Sequence, residues 1–268
     1  MQMNNVEKKI LSLLRHMRDE YGLIGVKGEF EAEGARLEEL LRLKDIASAA
    51  NLELIIKIGG CEAITDMRHA RSAGASHIVA PMIESAFAAT KFIGASKAVF
   101  REEELEKVGL LINVETVDGM RNFDQICDIP DAEILAGLDI GRVDMACSMG
   151  LGAESCNSNQ VFQACLEMCG KWYGKFPEKS CTIGGLLNME TIRFLEAIPR
   201  EYHVGCESKK AVFSSEVIER GKLKEAFLEA IRFETLWYEN YMEDYHWMSS
   251  SNWNYFKILP KYEMVLRG

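Results

Sequence analysis

Polar and charged residues recur at one kind of place along this sequence, directly after short apolar runs. Lys27-Gly28-Glu29-Phe30-Glu31 follows the first run, Lys57-Ile58-Gly59-Gly60 the second and Pro81-Met82-Ile83-Glu84 the third. Asn113-Val114-Glu115-Thr116, Gly141-Arg142-Val143-Asp144, Gly184-Gly185 and Glu207-Ser208-Lys209-Lys210 follow later runs. One such residue alone reads as a solvated loop. Repeated through the chain, charges on apolar runs point to a shared polar cavity, because burying them elsewhere is expensive. Glu115 and Asp144 are the best metal candidates. Two carboxylates from neighbouring strands supply hard oxygen ligands and leave positions open for substrate and water, as Mg²⁺ or Mn²⁺ requires. Plainer roles exist for both: Glu115 in a buried salt bridge to Lys57 or Arg142, Asp144 as a cap on the turn Ala-Cys-Ser-Met-Gly. The glycine pairs 59–60 and 184–185 precede helical patterns, where exposed amides can receive an anion, although glycine also serves such loops for steric reasons.

The elements that would position these residues alternate. Strands are predicted at 23–27, 54–58, 76–80, 97–100, 110–114, 133–138, 181–184 and 202–206. Helical periodicity lies between them at 36–50, 61–73, 84–94, 117–127, 158–172 and 188–197, with a long helix over 214–236. Such alternation implies right-handed crossovers and a parallel sheet. Eight strands in 268 residues favour a closed (β/α)8 TIM barrel with an N-terminal helix, whose C-terminal mouth gathers the strand-end residues. The barrel is expected over 1–236. Residues 237–268 form an extension holding three of the four tryptophans and five of the eight tyrosines. Rings at that density need burial, either on the chain's own barrel or on a neighbouring subunit. His246 falls in this extension, where a structural role is expected.

Composition narrows the function. A net charge of −10, with no basic run, argues against a nucleic-acid partner. Charges interrupt the apolar positions of the N-terminal segment, so it does not read as a signal peptide, and no run of 18 apolar residues offers a membrane span. The eight cysteines are scattered through predicted helices and strands, which suits reduced thiols in the cytoplasm. Cys165 and Cys169 share a helical face but lack partners at zinc spacing. No Walker loop or dinucleotide fingerprint occurs, and no histidine pairs with a serine or cysteine nucleophile.

Three segments carry a family resemblance. Ala-Pro-Met-Ile-Glu-Ser-Ala-Phe-Ala-Ala-Thr-Lys-Phe-Ile, from 80 to 93, resembles the third strand and following helix of the HpcH/HpaI aldolase and citrate lyase β-subunit family, in the phosphoenolpyruvate/pyruvate barrel superfamily. Residues 113–126 resemble the segment with that family's metal-binding glutamate, which falls on Glu115. Residues 141–150 resemble its aspartate motif, which falls on Asp144. The resemblance spans about 21–215. It implies a barrel holding Mg²⁺ (or Mn²⁺ or Co²⁺), assembly into homo-oligomers, and a metal-dependent carbon–carbon lyase or aldolase acting on a pyruvate-like 2-oxo acid through an enolate. Lys57 stands where the family usually has an arginine, keeping charge but losing the bidentate fork. The loop after the first strand lacks the aldolases' histidine base, which leaves Glu29 or Glu31 for proton transfer. Arg142 replaces a frequent proline and is expected to bind a second carboxylate or a phosphate. Gly141, Glu84, Gly184 and Gly185 are expected to contact substrate. Two other readings stay open: a Schiff-base aldolase using Lys57 or Lys27, and a non-catalytic scaffold whose aromatic tail binds partners.

Overall fold

The barrel interior is apolar below and charged above, because strand side chains alternate between lumen and helices. The computed structural model describes residues 3–244 and 250–267; His246 lies outside them. Eight strands, β1 (Leu23–Glu29), β2 (Glu53–Lys57), β3 (His77–Ala80), β4 (Gly109–Asn113), β5 (Leu135–Gly141), β6 (Ser180–Gly184), β7 (Val204–Glu207) and β8 (Ala211–Phe213), close in chain order into one barrel. Leu54, Ile56, Ile78, Ala80, Leu110 and Ile112 belong to the large core beneath the surrounding helices. Ile55, Val79 and Val212, with Leu111 against them, form a separate cluster. Lys57 and Asn113 continue the same alternate rows toward the mouth, and Asn113 pairs in register with Asp139.

Seven of the strands pair parallel, from β1 through β7; β8 runs antiparallel to both β7 and β1. Only Ser208–Lys210 connects β7 to β8, too short for a crossover helix, so the strand must return antiparallel. The predicted strand at 97–100 is instead the end of the helix Ala86–Val99. Phe92, Ile93, Ser96 and Val99 are buried along one face of that helix, so the short apolar run continues a period of 3.6 and not of two. The strand predicted at 202–206 is β7. The barrel's last strand, β8, is three residues long and carries no periodic signal of its own.

Both chain ends are tied to the barrel. The helix Asn5–Tyr21 starts in a capping box between Asn4 and Glu7, and the Asn4 amide donates to Asn240 Oδ1 at 2.8 Å on the helix Leu223–Asp244. Glu7, 2% exposed, also takes the Arg42 guanidinium of the helix Leu37–Ala49 on both oxygens. From the other end, Glu33 in the loop after β1 accepts from Lys210 Nζ at 2.7 Å and from the Tyr238 hydroxyl at 2.8 Å. Glu234 accepts the Lys210 amide at 3.0 Å and the Tyr255 hydroxyl at 2.8 Å. Tyr238 and Tyr255, from the helices Leu223–Asp244 and Ser250–Arg267, are thus packed on the chain's own barrel.

Burial opposes ionisation of Glu7, but Arg42 and the Asn4 amide hold its carboxyl below the ordinary value of 4.5. A lowered carboxyl stabilises the fold above its unfolded pKa, and the contribution disappears as pH falls through the folded one. Glu7→Gln keeps the capping box and loses the charge pair. Urea denaturation should show a loss of about 1–3 kcal/mol at pH 7. That difference should shrink steadily below pH 4.5.

Candidate active site

Glu115 lies two residues past β4 and is 2% exposed. Lys57, the last residue of β2, places its ammonium 3.3 and 3.4 Å from the two carboxylate oxygens. The Met82 amide donates to Oε1 at 3.2 Å. Met82 adopts φ +51°, a left-handed backbone that costs a residue with a side chain about 1 kcal/mol or more. The next amide, Ile83 N–H, is bonded to Asn113 O at 3.0 Å. Gly141 closes another side, where a Cβ would overlap the Glu115 carboxylate. Burial pushes the Glu115 carboxyl up to about 7 against the pull of Lys57, with Asp144 adding to the rise. The plainer role foreseen for Glu115, an ion pair with Lys57, is therefore present, whereas Arg142 takes no part in it.

Asp144 stands in the first turn of the helix Arg142–Ser148 and faces the same cavity. It is exposed and makes no hydrogen bond or ion pair among the described residues, so the capping role is not realised. Next to these two, the lumen carries a second set of charges. Lys27, 4% exposed, contacts Glu207 directly and Glu29 at 3.5 Å. Lys57 also pairs with Glu31 at 3.0 Å. Asp139 on β5 is 4% exposed and its Oδ1 finds no partner among the described residues. Burial, reinforced by Glu207, pushes its carboxyl well above the ordinary range.

These groups line one cavity of about 350 Å³ at the barrel mouth. Its walls hold three lysines, Lys27, Lys57 and Lys209, against six carboxylates: Glu29, Glu31, Glu115, Asp139, Asp144 and Glu207. The acidic surplus, one orphaned carboxylate and an open Asp144 beside Glu115 all suit a hard divalent cation. Among the described residues no three His, Cys, Asp or Glu side chains converge into a cage. A cation on Glu115 and Asp144 would keep its other positions for substrate and water, as a catalytic site needs.

The expected site residues divide into two groups. Lys57, Glu29, Glu31, Gly141, Gly184 and Gly185 all border the cavity. Gly184 makes room for Glu207, whose Oε1 would lie 2.8 Å from a Cβ there, and Gly185 has φ +136°. Arg142, Glu84 and the pair 59–60 do not border it. Arg142 is 1% exposed and turns under the β6 loop. It donates to Gly184 O at 2.9 Å and Leu186 O at 3.0 Å, contacts Asn157, and lies 5.1 Å from the Phe194 ring centre. Neutral acceptors occupy its fork, so it shapes the loop and does not bind substrate. Glu84 points to solvent, while its carbonyl takes the Asn122 side chain at 2.8 Å. Asp66 already caps the Gly59 amide at 2.7 Å, which removes it as an anion site. Reading the sequence missed Asp139, Met82 and Tyr255 as cavity residues. Asp139 alone carried a signal: β5 runs to Gly141 rather than ending at 138, which makes it a charge inside an apolar strand.

The sequence profile of the family described as HpcH/HpaI aldolase/citrate lyase matches residues 32–169. Among curated protein sequences, none matches. Several solved structures share the fold. An HpcH/HpaI aldolase/citrate lyase family protein from Burkholderia cenocepacia is 16% identical with a TM-score of 0.58, covering 84% of this chain and 90% of its own. An HpcH/HpaI aldolase from Desulfitobacterium hafniense is 11% identical with a TM-score of 0.60, covering 77% and 83%. The citrate synthase SbnG is 16% identical with a TM-score of 0.54, covering 69% and 77%.

The crowding at Gly141 is testable. Gly141→Ala forces the Glu115 side chain to move and should cost about 1–3 kcal/mol in chemical denaturation. Gly60→Ala, whose Cβ meets nothing within 4 Å, should stay within about 0.5 kcal/mol of wild type.

Proposed function

Since the chain belongs to the HpcH/HpaI aldolase/citrate lyase family, we propose that it is a divalent-metal-dependent carbon–carbon lyase acting on a pyruvate-like 2-oxo acid through an enolate. The observation that carries this reading is the acidic surplus at the mouth, where buried Glu115 is braced beside an open Asp144. Glu115 and Asp144 would hold Mg²⁺, Mn²⁺ or Co²⁺, which supplies Lewis-acid stabilisation of negative charge developing on the substrate.

The chain's own groups do the rest. Lys57 stands next to Glu115 and presents its ammonium to an oxygen gaining charge there, which is the electrostatic part of the work. Glu31, 3.0 Å from Lys57 with its side chain 27% exposed, is the proposed proton carrier. Glu29 suits that role less: burial opposes its ionisation, yet Lys27 and Lys57 hold its carboxyl below the ordinary range, making it a weaker base. The arrangement also opposes Schiff-base chemistry, which needs a neutral amine. Burial favours that form, but Glu207 and Glu29 hold the Lys27 ammonium above its ordinary range, and Glu115 and Glu31 do the same for Lys57. The proposal includes a cytoplasmic homo-oligomer. The eight cysteines are free thiols, Cys169 and Cys181 with their Sγ atoms 3.5 Å apart, and no described helix is long and apolar enough to cross a membrane.

Titration calorimetry with Mn²⁺ and oxalate tests this reading. Wild type should bind both together, with Mn²⁺ affinity falling more than about tenfold in Glu115→Gln and in Asp144→Asn. Chelator-treated protein should release no pyruvate from 4-hydroxy-2-oxo acids until Mn²⁺ is returned. Full turnover in chelator, or unchanged Mn²⁺ binding in both variants, contradicts it.

A further inference from the structure

The lumen carries charge at two levels. Glu115 and Gly141 share the upper one, since a Cβ on Gly141 would overlap the Glu115 carboxylate. Asp139 comes two residues before Gly141 on β5, which places it about 6–7 Å deeper along the strand. It is buried, yet it borders the mouth cavity. Glu207, Lys27, Lys57 and Glu115 face it. Both lysines are already shared by other carboxylates: Lys27 pairs with Glu207 and Glu29, and Lys57 with Glu31 and Glu115. Asp139 takes part in none of these pairs, and its Oδ1 has no hydrogen-bond partner among the described residues. Asn113, opposite it in the β4–β5 register, donates Nδ2 to the Asp139 backbone carbonyl at 3.2 Å and not to the carboxyl. That leaves Asn113 Oδ1 as a second acceptor bordering the same cavity.

The charge balance points the same way. With a divalent cation on Glu115 and Asp144, the wall still sets Glu29, Glu31, Asp139 and Glu207 against Lys27 and Lys57, because Lys209 pairs with Glu33 outside the cavity. A bound 2-oxo acid adds one more negative charge. Burial and Glu207 both disfavour an ionised Asp139, so this level lacks a positive group, and a charged donor is what such a carboxylate gains from most. A second metal ion would need several oxygen ligands around it, whereas an ammonium group needs only hydrogen-bond acceptors. We propose that Asp139, with Asn113 Oδ1 beside it, binds an ammonium group, so that the substrate is a 2-oxo acid bearing an amine at its far end. This rests on the proposed function for the metal-bound end.

The test uses 2-hydroxy acids, which chelate Mn²⁺ through carboxylate and hydroxyl oxygens and form no cyclic imine with their own amine. Calorimetry in Mn²⁺ compares 3-amino-2-hydroxypropanoate, 4-amino-2-hydroxybutanoate and 5-amino-2-hydroxypentanoate, each with the acid in which a methyl group replaces the ammonium. At the best length, wild type should prefer the ammonium acid about tenfold. Asp139→Asn and Asp139→Leu, both close in size, should each erase the preference while affinity for the methyl acid stays unchanged. The proposal is overturned by no preference at any length in wild type, by a preference that survives in either variant, or by an equal loss of both acids in both variants. If no acid binds with Mn²⁺, the metal-lyase reading fails. Propylammonium against 1-propanol, titrated by NMR without metal, then applies the same criterion to Asp139. A preference for the ammonium ion lost in both variants supports the site, and any other result overturns it.

Discussion

Ionisable side chains inside the lumen are the constraint on which the rest of this structure depends. A pleated strand sends alternate residues to one side, so once Ile55, Val79 and Leu111 point inward, Lys57 and Asn113 must follow them. A charge in that setting is tolerated when it is paired or meets an ion. Lys27 is shared by Glu207 and Glu29, and Lys57 by Glu115 and Glu31. The carboxylates left over, above all the orphaned Asp139 and the open Asp144, leave the mouth with an acidic surplus.

Other features make sense as supports for that layer. Glycine at 141 and 184 leaves the volume that Glu115 and Glu207 fill. Met82 accepts a left-handed backbone while its amide reaches Glu115. Arg142, buried among neutral acceptors, braces the β6 loop that forms another wall. The short β7–β8 hairpin places Lys209 and Lys210 at the rim, and the two C-terminal helices close over them through Glu234, Tyr238 and Tyr255. Chain end and barrel mouth are therefore one packed unit on this side of the barrel.

Much of this was legible in the residues. Strand-end charges and helical periodicity led to a closed eight-stranded barrel, and the motifs around Glu115 and Asp144 led to two residues that border one cavity at its mouth. What escaped has physical reasons. The run at 97–100 is apolar on a helical period, which four residues cannot distinguish from a strand. β8 is too short to show alternation, and its direction follows from a connection length that sequence patterning does not mark. Arg142 looked like an anion binder because a charge next to a metal motif suggests one; its donors are taken by carbonyls that come close only in the folded β6 loop. The role of Tyr255 depends on tertiary packing across more than forty positions, from Lys209 to the last helix, and nothing local announces it.

In the proposed function one divalent cation joins Glu115 and Asp144. Anomalous diffraction from crystals grown with Mn²⁺ and oxalate measures this directly. A single strong peak is expected at the mouth, about 2.0–2.3 Å from a carboxylate oxygen of each residue. A mouth without a peak, or a peak that touches neither carboxylate, would contradict it.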